Sequence, residues 1–300
     1  EVVRIDRARK QAVVRNLDRD EEFVESYDVL VLSTGAEPLR PPIPGIDGPN
    51  VVSLNTLEDM DRIAQATARS RRVCVIGAGF IGLELVENLR ERGLDVVLVE
   101  RLDQVLPPMD WEMAQPLAQE LRLHGVELHL EEQAMTIDAT GVTLRSGDRI
   151  ACDFVCLCAG VRPRSELARD AGLDLGTRGH VRTDAAMRTS DPAIFAVGDC
   201  VEVRDFVTGD PVAIPLAGPA NRQGRIAADA ICGRDAAYRD TQGSSIVKVF
   251  NLAAAQTGLS EKRLKAMNKP YRRVYVHPMQ HPRYYPGAQP LGIKLLFTPE

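Results

Sequence analysis

The sequence predicts an α/β protein whose architecture is set by residues 72–101. Val73–Ile76 is a short β-branched run of the kind found in buried parallel strands. A turn with G-x-G-x-x-G spacing follows, and an amphipathic helix is expected from about Phe80 to Arg92; the glycines are Gly77, Gly79 and Gly82. A second apolar strand, Val96–Val99, completes a βαβ unit.

This βαβ unit is predicted to bind a dinucleotide. In such a turn the first glycine allows the sharp bend, the second lets the backbone approach a pyrophosphate, and the third lets the helix pack closely on the strand. Glu100 ends the second strand, where an acid accepts hydrogen bonds from the ribose 2′-OH of adenosine and repels a 2′-phosphate. The pattern therefore favours NAD(H) over NADP(H).

Composition narrows the class of protein. The chain has 300 residues, 44% of them hydrophobic, which suits about two domains with proper cores. The net charge is −5 with acidic and basic residues mixed, so nothing favours nucleic acid or a membrane surface as a partner, and no apolar run suggests a membrane span. The first residues lack a starting Met and a signal-peptide apolar region, which indicates an internal piece of a longer protein.

The cysteines predict neither a metal centre nor a disulfide framework. There are six, without a C-x-x-C pair: Cys74, Cys152, Cys156, Cys158, Cys200 and Cys232. Three of them stand in apolar, strand-like runs, where cysteine behaves as a small buried hydrophobe. This usage fits a reducing compartment, and a cytoplasmic location is expected.

The stretch before the βαβ unit has four predicted parts. Residues 1–26 are expected to form a β-meander, and Tyr27–Leu32 a buried strand. That strand runs into Thr34 and Gly35, where the backbone either approaches a ligand or turns sharply, and a proline-rich linker follows at 38–50. A helix is expected from Asn55 to Ser70, with Thr56 as its N-cap.

The stretch after the unit first completes a compact α/β domain that ends near residue 160. Further on, Ile194–Val197 runs into Gly198 and Asp199. A strand that ends in Gly-Asp can aim a carboxylate at a ligand hydroxyl from the carboxyl edge of a sheet, although an ordinary turn can have the same two residues. From Ser244 the strand-rich pattern indicates the start of an antiparallel α+β domain.

Taken together, these stretches resemble the pyridine nucleotide–disulfide oxidoreductases, flavoproteins with two dinucleotide sites. The resemblance rests on LVLSTGAEP, VCVIGAGFIGLELVENL, LVE, CAGVRPRSELA and IFAVGDC, which occur in the family's order and span nearly the whole chain. VKVFNLAAAQTGL and HPRYYPGAQPLGIKLLF are similar to the branch of CoA-disulfide reductases and NADH oxidases.

The resemblance implies two Rossmann-like, three-layer nucleotide-binding domains and the start of an α+β dimerisation domain. The FAD domain would be discontinuous, at 1–48 and 164–243, with the NAD domain inserted at 49–163. An incomplete interface domain at 244–300 would form a homodimer. The family's own FAD GxGxxG and its redox cysteine are missing from these residues, and none of the six cysteines matches that nucleophile.

The family's cofactor-binding positions carry over onto matching residues. Asp199 would bind the flavin ribitol, and Ala217 would lie near the isoalloxazine. The residues implied for FAD are Thr34, Gly35, Gly198, Asp199 and Ala217, and those implied for NAD are Gly77, Gly79, Ile81, Gly82, Glu100 and Gly160.

Four further residues are implied in the mechanism. Phe80 falls at an aromatic gate over the nicotinamide pocket, and Glu84 at an acid near the flavin–nicotinamide junction. Helix–sheet packing and a solvated helix acid are the respective alternatives. Tyr284 and Tyr285, with His281, resemble residues that approach the redox cysteine across the dimer, and packing within that interface is their alternative.

The implied function is that of an FAD-dependent NADH oxidoreductase. Hydride would pass from NADH to FAD, and electrons would pass through a cysteine centre outside these residues to CoA-disulfide, persulfide or dioxygen. One alternative is a flavin reductase that delivers electrons to a small iron–sulfur protein. Another is an NAD(H)-binding module without turnover. The sequence leaves the acceptor open.

Overall fold

The computed structural model describes residues 1–298, and these fall into two compact units. The first unit comprises Glu1–Glu37 with Val161–Ser245, and the second comprises Pro38–Gly160 with the chain from Ile246 onward. The fold class is α/β, as predicted. The finer division, with a separate dimerisation domain from residue 244, stays a prediction.

The secondary structure alternates between short strands and helices along the chain. The elements are β1 Val2–Asp6, β2 Gln11–Asn16, β3 Glu21–Ser26, β4 Leu30–Leu32, β5 Ala36–Pro38, β6 Val51–Ser53, α1 Leu57–Thr67, β7 Arg72–Ile76, α2 Phe80–Glu91, β8 Asp95–Val99, α3 Trp111–Leu123, β9 Glu127–His129, β10 Ala134–Asp138, β11 Gly141–Leu144, β12 Arg149–Ala151, β13 Phe154–Leu157, β14 Val161–Pro163, α4 Glu166–Asp170, β15 Ile194–Ala196, β16 Val203–Arg204, β17 Pro211–Val212, α5 Ala217–Ile231, β18 Ser245–Val249, β19 Leu252–Gln256, α6 Glu261–Ala266, β20 Arg272–Val276 and β21 Ile293–Phe297.

The second unit is built on a five-stranded parallel sheet. Its strand order is β6–β13–β7–β8–β9, with the three central strands almost completely buried. Along β7, Val73 and Val75 enter one hydrophobic core while Cys74 and Ile76 enter another. Because side chains alternate between the faces of a strand, the apolar run covers both faces, as a parallel sheet requires.

Helix α1 begins where the sequence indicates. Thr56 is the N-cap, and its side chain and that of Asp59 each accept a backbone N–H of the other residue, which makes a capping box. The helix, Leu57–Thr67, is somewhat shorter than the predicted span of 55–70. Helix α2 starts at Phe80, as predicted, and ends one residue earlier than expected.

A buried lysine attaches the last described strand to the body of the second unit. Lys294 on β21 is 5% exposed in its side chain, and its ammonium lies 2.5–2.9 Å from carboxylates of Asp110, Glu112 and Glu261. The three carboxylates lie within 4.8 Å of one another, so they share this positive charge. Burial alone would raise the pKa of Glu112, but hydrogen bonds from Lys294 and Tyr275 lower it to about 2.

The first unit holds a β-meander and a short parallel sheet. Strands β1, β2 and β3 pair antiparallel in that order, which confirms the predicted meander. β4 pairs in parallel with β15. The prediction of a buried strand at 27–32 was wrong for part of its length: Leu32 is 5% exposed, but Val29 and Val31 are 40% and 43% exposed because this sheet has two strands and one open face.

Every helix within residues 1–298 is too short or too polar to span a membrane.

Replacing the lysine tests whether this charge cluster anchors β21. Lys294→Ala should lower the free energy of unfolding by about 3 kcal/mol, because it leaves carboxylates without their buried cation. The matched change Lys265→Ala removes a cation that lies 3.0 Å from Glu261 and is 63% exposed, and it should cost clearly less because water screens an exposed ion pair. Urea unfolding followed through the fluorescence of Trp111 measures both; equal losses would contradict the anchoring role.

Candidate functional site

Three neighbouring strands of the second unit end side by side. β13, β7 and β8 are adjacent and parallel, so their carboxyl ends meet at one edge of the sheet. Gly77 follows β7, Glu100 follows β8, and Gly160 lies just beyond β13. This is the edge at which open α/β sheets bind their ligands. The structure thus brings together the residues that the sequence predicts for a dinucleotide.

Gly77 turns the chain in a space that admits no side chain. Its φ is +105°, and a Cβ there would lie 2.3 Å from the carbonyl oxygen of Cys158. Its N–H donates to the carbonyl of Val99 at 2.8 Å, which fixes the turn against β8. At Gly82 a Cβ would lie 1.9 Å from the carbonyl oxygen of Gly77, so helix α2 packs directly on the turn.

Gly79 differs from these two glycines because a Cβ would meet nothing within 4 Å. It is the N-cap of α2, where no side chain caps the helix and no acid stands in the first turn. Backbone N–H groups at such an open N-terminus attract anions. A cradle of this kind, open at the second glycine and closed at the other two, fits the pyrophosphate of a dinucleotide.

Glu100 has a structural role that the sequence does not reveal. The residue is 8% exposed. Its Oε2 accepts the N–H of Ala78 at 2.8 Å, and its Oε1 accepts the N–H of Leu102 at 2.9 Å. The carboxylate therefore holds the glycine turn and its own loop together. Since each carboxylate oxygen can accept two hydrogen bonds, capacity remains for ribose hydroxyls.

The other residues predicted for the nicotinamide side lie on or near the start of α2. Phe80 is half-buried and packs against the hydrophobic core, whereas Ile81 is 39% exposed. Glu84 is exposed, and its carboxylate has no hydrogen bond or ion pair among residues 1–298. Gly160 is exposed at φ +108° with open space around it. The role of Phe80 as a gate and the place of Glu84 near the flavin–nicotinamide junction stay predictions.

The predicted flavin residues meet at one sheet edge of the first unit. Because β4 and β15 are parallel neighbours, Thr34 and Gly35 beyond β4 lie beside Gly198 and Asp199 beyond β15. The N–H of Val197 donates to the carbonyl of Leu32 at 2.9 Å and joins the two strand ends. The hydroxyl of Thr34 donates to the carbonyl of Arg164, so it already has a partner within the protein.

Gln223 is a positioning residue that sequence reasoning missed. It is 2% exposed on α5, and its Oε1 accepts the N–H of Gly198 at 2.6 Å. Pro219, Gln223 and Ala227 form the buried face of that helix at i, i+4 spacing. A glutamine on an otherwise apolar face was the signal. The helix begins at Ala217, which is exposed and has no side-chain cap before it.

Asp199 is partly buried, and His180 is close enough for its charge to act on it. Burial raises the pKa of Asp199, and the charge of His180 opposes that rise. His180 is 9% exposed with no hydrogen-bond partner at Nδ1, and Ser165 is 2% exposed with none at Oγ, both within residues 1–298. Buried polar atoms without partners are rare in proteins. These two were not foreseen, because nothing in the local sequence marks them.

Four of the six cysteines are buried, Cys158 is half-buried and Cys232 is exposed. Burial raises the pKa of Cys74 and Cys156, takes that of Cys152 to about 11 and takes that of Cys158 to about 12. Cys200 is fully buried, and its thiol donates to the carbonyl of Val197 at 3.3 Å. A buried structural role for Cys200 therefore fits its surroundings.

The aromatic residues near the end of the chain are exposed. Tyr284 and Tyr285 are 83% and 60% exposed, with ring centroids 5.3 Å apart. His281 meets Tyr285 edge to face at 6.1 Å. Their proposed approach to a redox cysteine, and the dimer that it requires, stay predictions.

Comparison with known families identifies the class of protein. The profile of the pyridine nucleotide-disulphide oxidoreductases matches residues 1–224. The chain belongs to this family. FAD and NAD(H) are the cofactors of the family.

Individual relatives agree with this family. A curated relative from Methanocaldococcus jannaschii, named NADH oxidase, is 36% identical over 98% of this chain and 67% of its own. The solved structure of reduced CoADR-RHD from Bacillus anthracis is 47% identical with a TM-score of 0.97, and an NAD-dependent persulfide reductase from A. fulgidus is 35% identical with a TM-score of 0.97. The match covers 99% and 100% of this chain but only 55% and 56% of those two chains.

Two of the three glycines give a direct test of the dinucleotide cradle. Gly79→Ala should leave the folded structure and its unfolding temperature unchanged, since the methyl group meets open space. It should weaken NADH binding by about 10-fold or more, because the methyl group occupies the approach of the pyrophosphate.

Gly77→Ala is the contrasting variant. It should destabilise the protein by about 1–3 kcal/mol, because it combines a positive φ with a close contact to backbone. Calorimetric titration with NADH and thermal unfolding measure both effects. A Gly79→Ala variant that binds NADH normally would contradict the assignment of the cradle.

Proposed function

We propose that the protein is an FAD-dependent NADH oxidoreductase that passes electrons on to a small-molecule disulfide, a persulfide or dioxygen. The observation that carries this proposal is the pair of strand-end sites, one in each unit, in a chain of this family. The names of the relatives, NADH oxidase, CoADR and persulfide reductase, support the range of acceptors. The acceptor of this protein is left open within that range.

The residues of the second unit would bind and orient the nicotinamide dinucleotide. The open N-terminus of α2 at Gly79 would hold the pyrophosphate, and Glu100 would accept hydrogen bonds from the adenosine ribose. Ile81 and Gly160 are exposed nearby and would line the pocket. Phe80 would close over the nicotinamide, and exclusion of water would favour direct hydride transfer.

The residues of the first unit would hold the flavin. Asp199 would accept hydrogen bonds from the ribitol chain, and Gln223 would keep the Gly198 turn in place for it. Ala217, at the start of α5, would present backbone N–H groups to the ring. The bound flavin supplies the ring that accepts a hydride and releases electrons.

An exchange of thiol and disulfide with the acceptor would require a nucleophilic cysteine. The four cysteines whose pKa burial raises, together with the fully buried Cys200, are unsuited to that role. Cys232 is exposed, but like the other five it does not match the family's redox cysteine, so we assign that cysteine to a part of the protein outside these 300 residues. Homodimer formation through the chain from residue 244 belongs to the same proposal.

An anaerobic titration of the full-length protein with NADH tests the proposal through the flavin absorbance. Uptake of roughly one extra NADH per flavin before the flavin bleaches is the expected result, since a cysteine centre would fill first. Immediate bleaching would favour a reductase that serves an iron–sulfur protein. NADH binding without any change in the spectrum would favour a binding module without turnover.

The flavin site has its own test. Asp199→Asn should increase the loss of FAD during purification, because the amide replaces one acceptor oxygen with a donor. Asp229→Asn, on α5 and paired with Arg234, is the matched control and should keep its flavin. Absorbance at the flavin band relative to protein measures occupancy; full occupancy in Asp199→Asn would exclude the assignment.

A further inference from the structure

The segment between β8 and α3 is folded around a buried glutamine. Gln104 is 5% exposed, and its Nε2 donates to the carbonyl of Met109 at 2.9 Å. The same nitrogen lies 3.3 and 3.4 Å from the carbonyl oxygens of Val105 and Leu106. A buried amide is costly unless it is hydrogen-bonded. These contacts therefore hold residues 102–109, the Gln104 loop, closed around the glutamine side chain.

The Gln104 loop contacts the glycine turn through Leu106. The N–H of Leu106 donates to the carbonyl of Ala78, between Gly77 and Gly79, at 2.8 Å. Leu106 is 1% exposed and has a φ of +49°, a conformation that leucine rarely adopts. Strain of this kind persists only where the surrounding contacts hold it. The hydrogen bond that Leu106 makes to the glycine turn therefore depends on the closed loop.

The chain from residue 246 also holds this loop. The ammonium of Lys262, on α6, donates to Oε1 of Gln104 at 3.3 Å and to the carbonyl of Pro107. Asp110 is 7% exposed and accepts the N–H groups of Glu261 and Lys262 at 2.9 and 3.1 Å, which joins the end of the loop to the start of α6. Gln104 is thus the link between Lys262 and the backbone that reaches the glycine turn.

We propose that Gln104 is a positioning residue for the dinucleotide. Secured by Lys262, it keeps the loop closed, and the closed loop holds Ala78 and the open N-terminus of α2 in the position that a pyrophosphate requires. Neither side chain has to touch the ligand. Each acts on the fraction of the protein whose glycine turn is ready to bind, and a smaller fraction raises the apparent Kd in proportion. This inference rests on the proposed function and adds to it residues that lie outside the ligand site.

Binding measurements on the full-length, FAD-loaded protein test this role. Gln104→Met keeps the approximate size of the side chain and removes its hydrogen bonds. It should raise the Kd of NADH by about 10-fold, and that of ADP-ribose by the same factor, because the glycine turn serves the half that the two ligands share. Calorimetry measures both constants at a temperature at which circular dichroism shows that the variant is folded.

The rate of flavin reduction separates positioning from a general loss of structure. Saturating NADH restores the closed loop, so the limiting rate for Gln104→Met should stay within about twofold of that of the wild type. Anaerobic stopped-flow absorbance at the flavin band measures this rate as a function of NADH concentration.

Lys262 provides further variants at a residue that is exposed as a whole. Lys262→Met should raise both Kd values by about threefold or more, and Lys262→Arg, which can still donate to two acceptors, should restore them. Lys265→Met is the matched control, because Lys265 lies on the same helix and is paired with Glu261 rather than with the loop. It should leave both Kd values unchanged.

Unchanged affinities in Gln104→Met or in Lys262→Met would overturn the positioning role. A loss of affinity confined to NADH, or an equal loss in Lys265→Met, would also overturn it, and each of these outcomes leaves the proposed function intact. A wild-type protein that binds neither NADH nor ADP-ribose would overturn the dinucleotide site of the proposed function as well.

Discussion

The carboxyl edge of the five-stranded sheet in the second unit depends on one constraint, the close approach of Gly77 to the carbonyl of Cys158. A side chain at Gly77 would overlap that oxygen, so glycine alone lets the chain turn between the ends of β7 and β13. The turn brings the N–H of Ala78 to Glu100 and leads at once into α2. Backbone geometry thereby fixes the positions of Glu100 and of the open N-terminus of α2.

Carboxylates with buried oxygens also attach the last part of the chain to this unit. Glu87 on α2, 7% exposed, accepts the N–H of Phe250 at 3.0 Å and the ammonium of Lys248. Glu120 on α3 accepts the N–H of Asn251 at 3.1 Å. Buried acids are stabilising only when donors satisfy them. Helices α2 and α3 supply the acids, and the chain from residue 246 supplies the donors.

The environment of each reactive group along the chain follows from this packing. Thiols within the sheets are buried and serve as small apolar residues. The protein contributes shape and charge: an open glycine turn, an acid held by backbone donors, and Asp199 whose pKa burial raises. Each of these features belongs to a loop at the carboxyl end of a parallel strand, where the backbone is firmly positioned.

The sequence by itself determined the βαβ unit, the N-cap at Thr56 and the meander of residues 1–26, because each follows from patterns within a few neighbouring residues. It also identified Glu100 and Asp199 as candidate ligands from their place after apolar strands. Only the tertiary structure revealed the bond from Ala78 to Glu100, the hold of Gln223 on Gly198 and the charge cluster at Lys294. Those contacts join residues that are 22, 25 and up to 184 positions apart, and pairing across such distances depends on packing that no local pattern records.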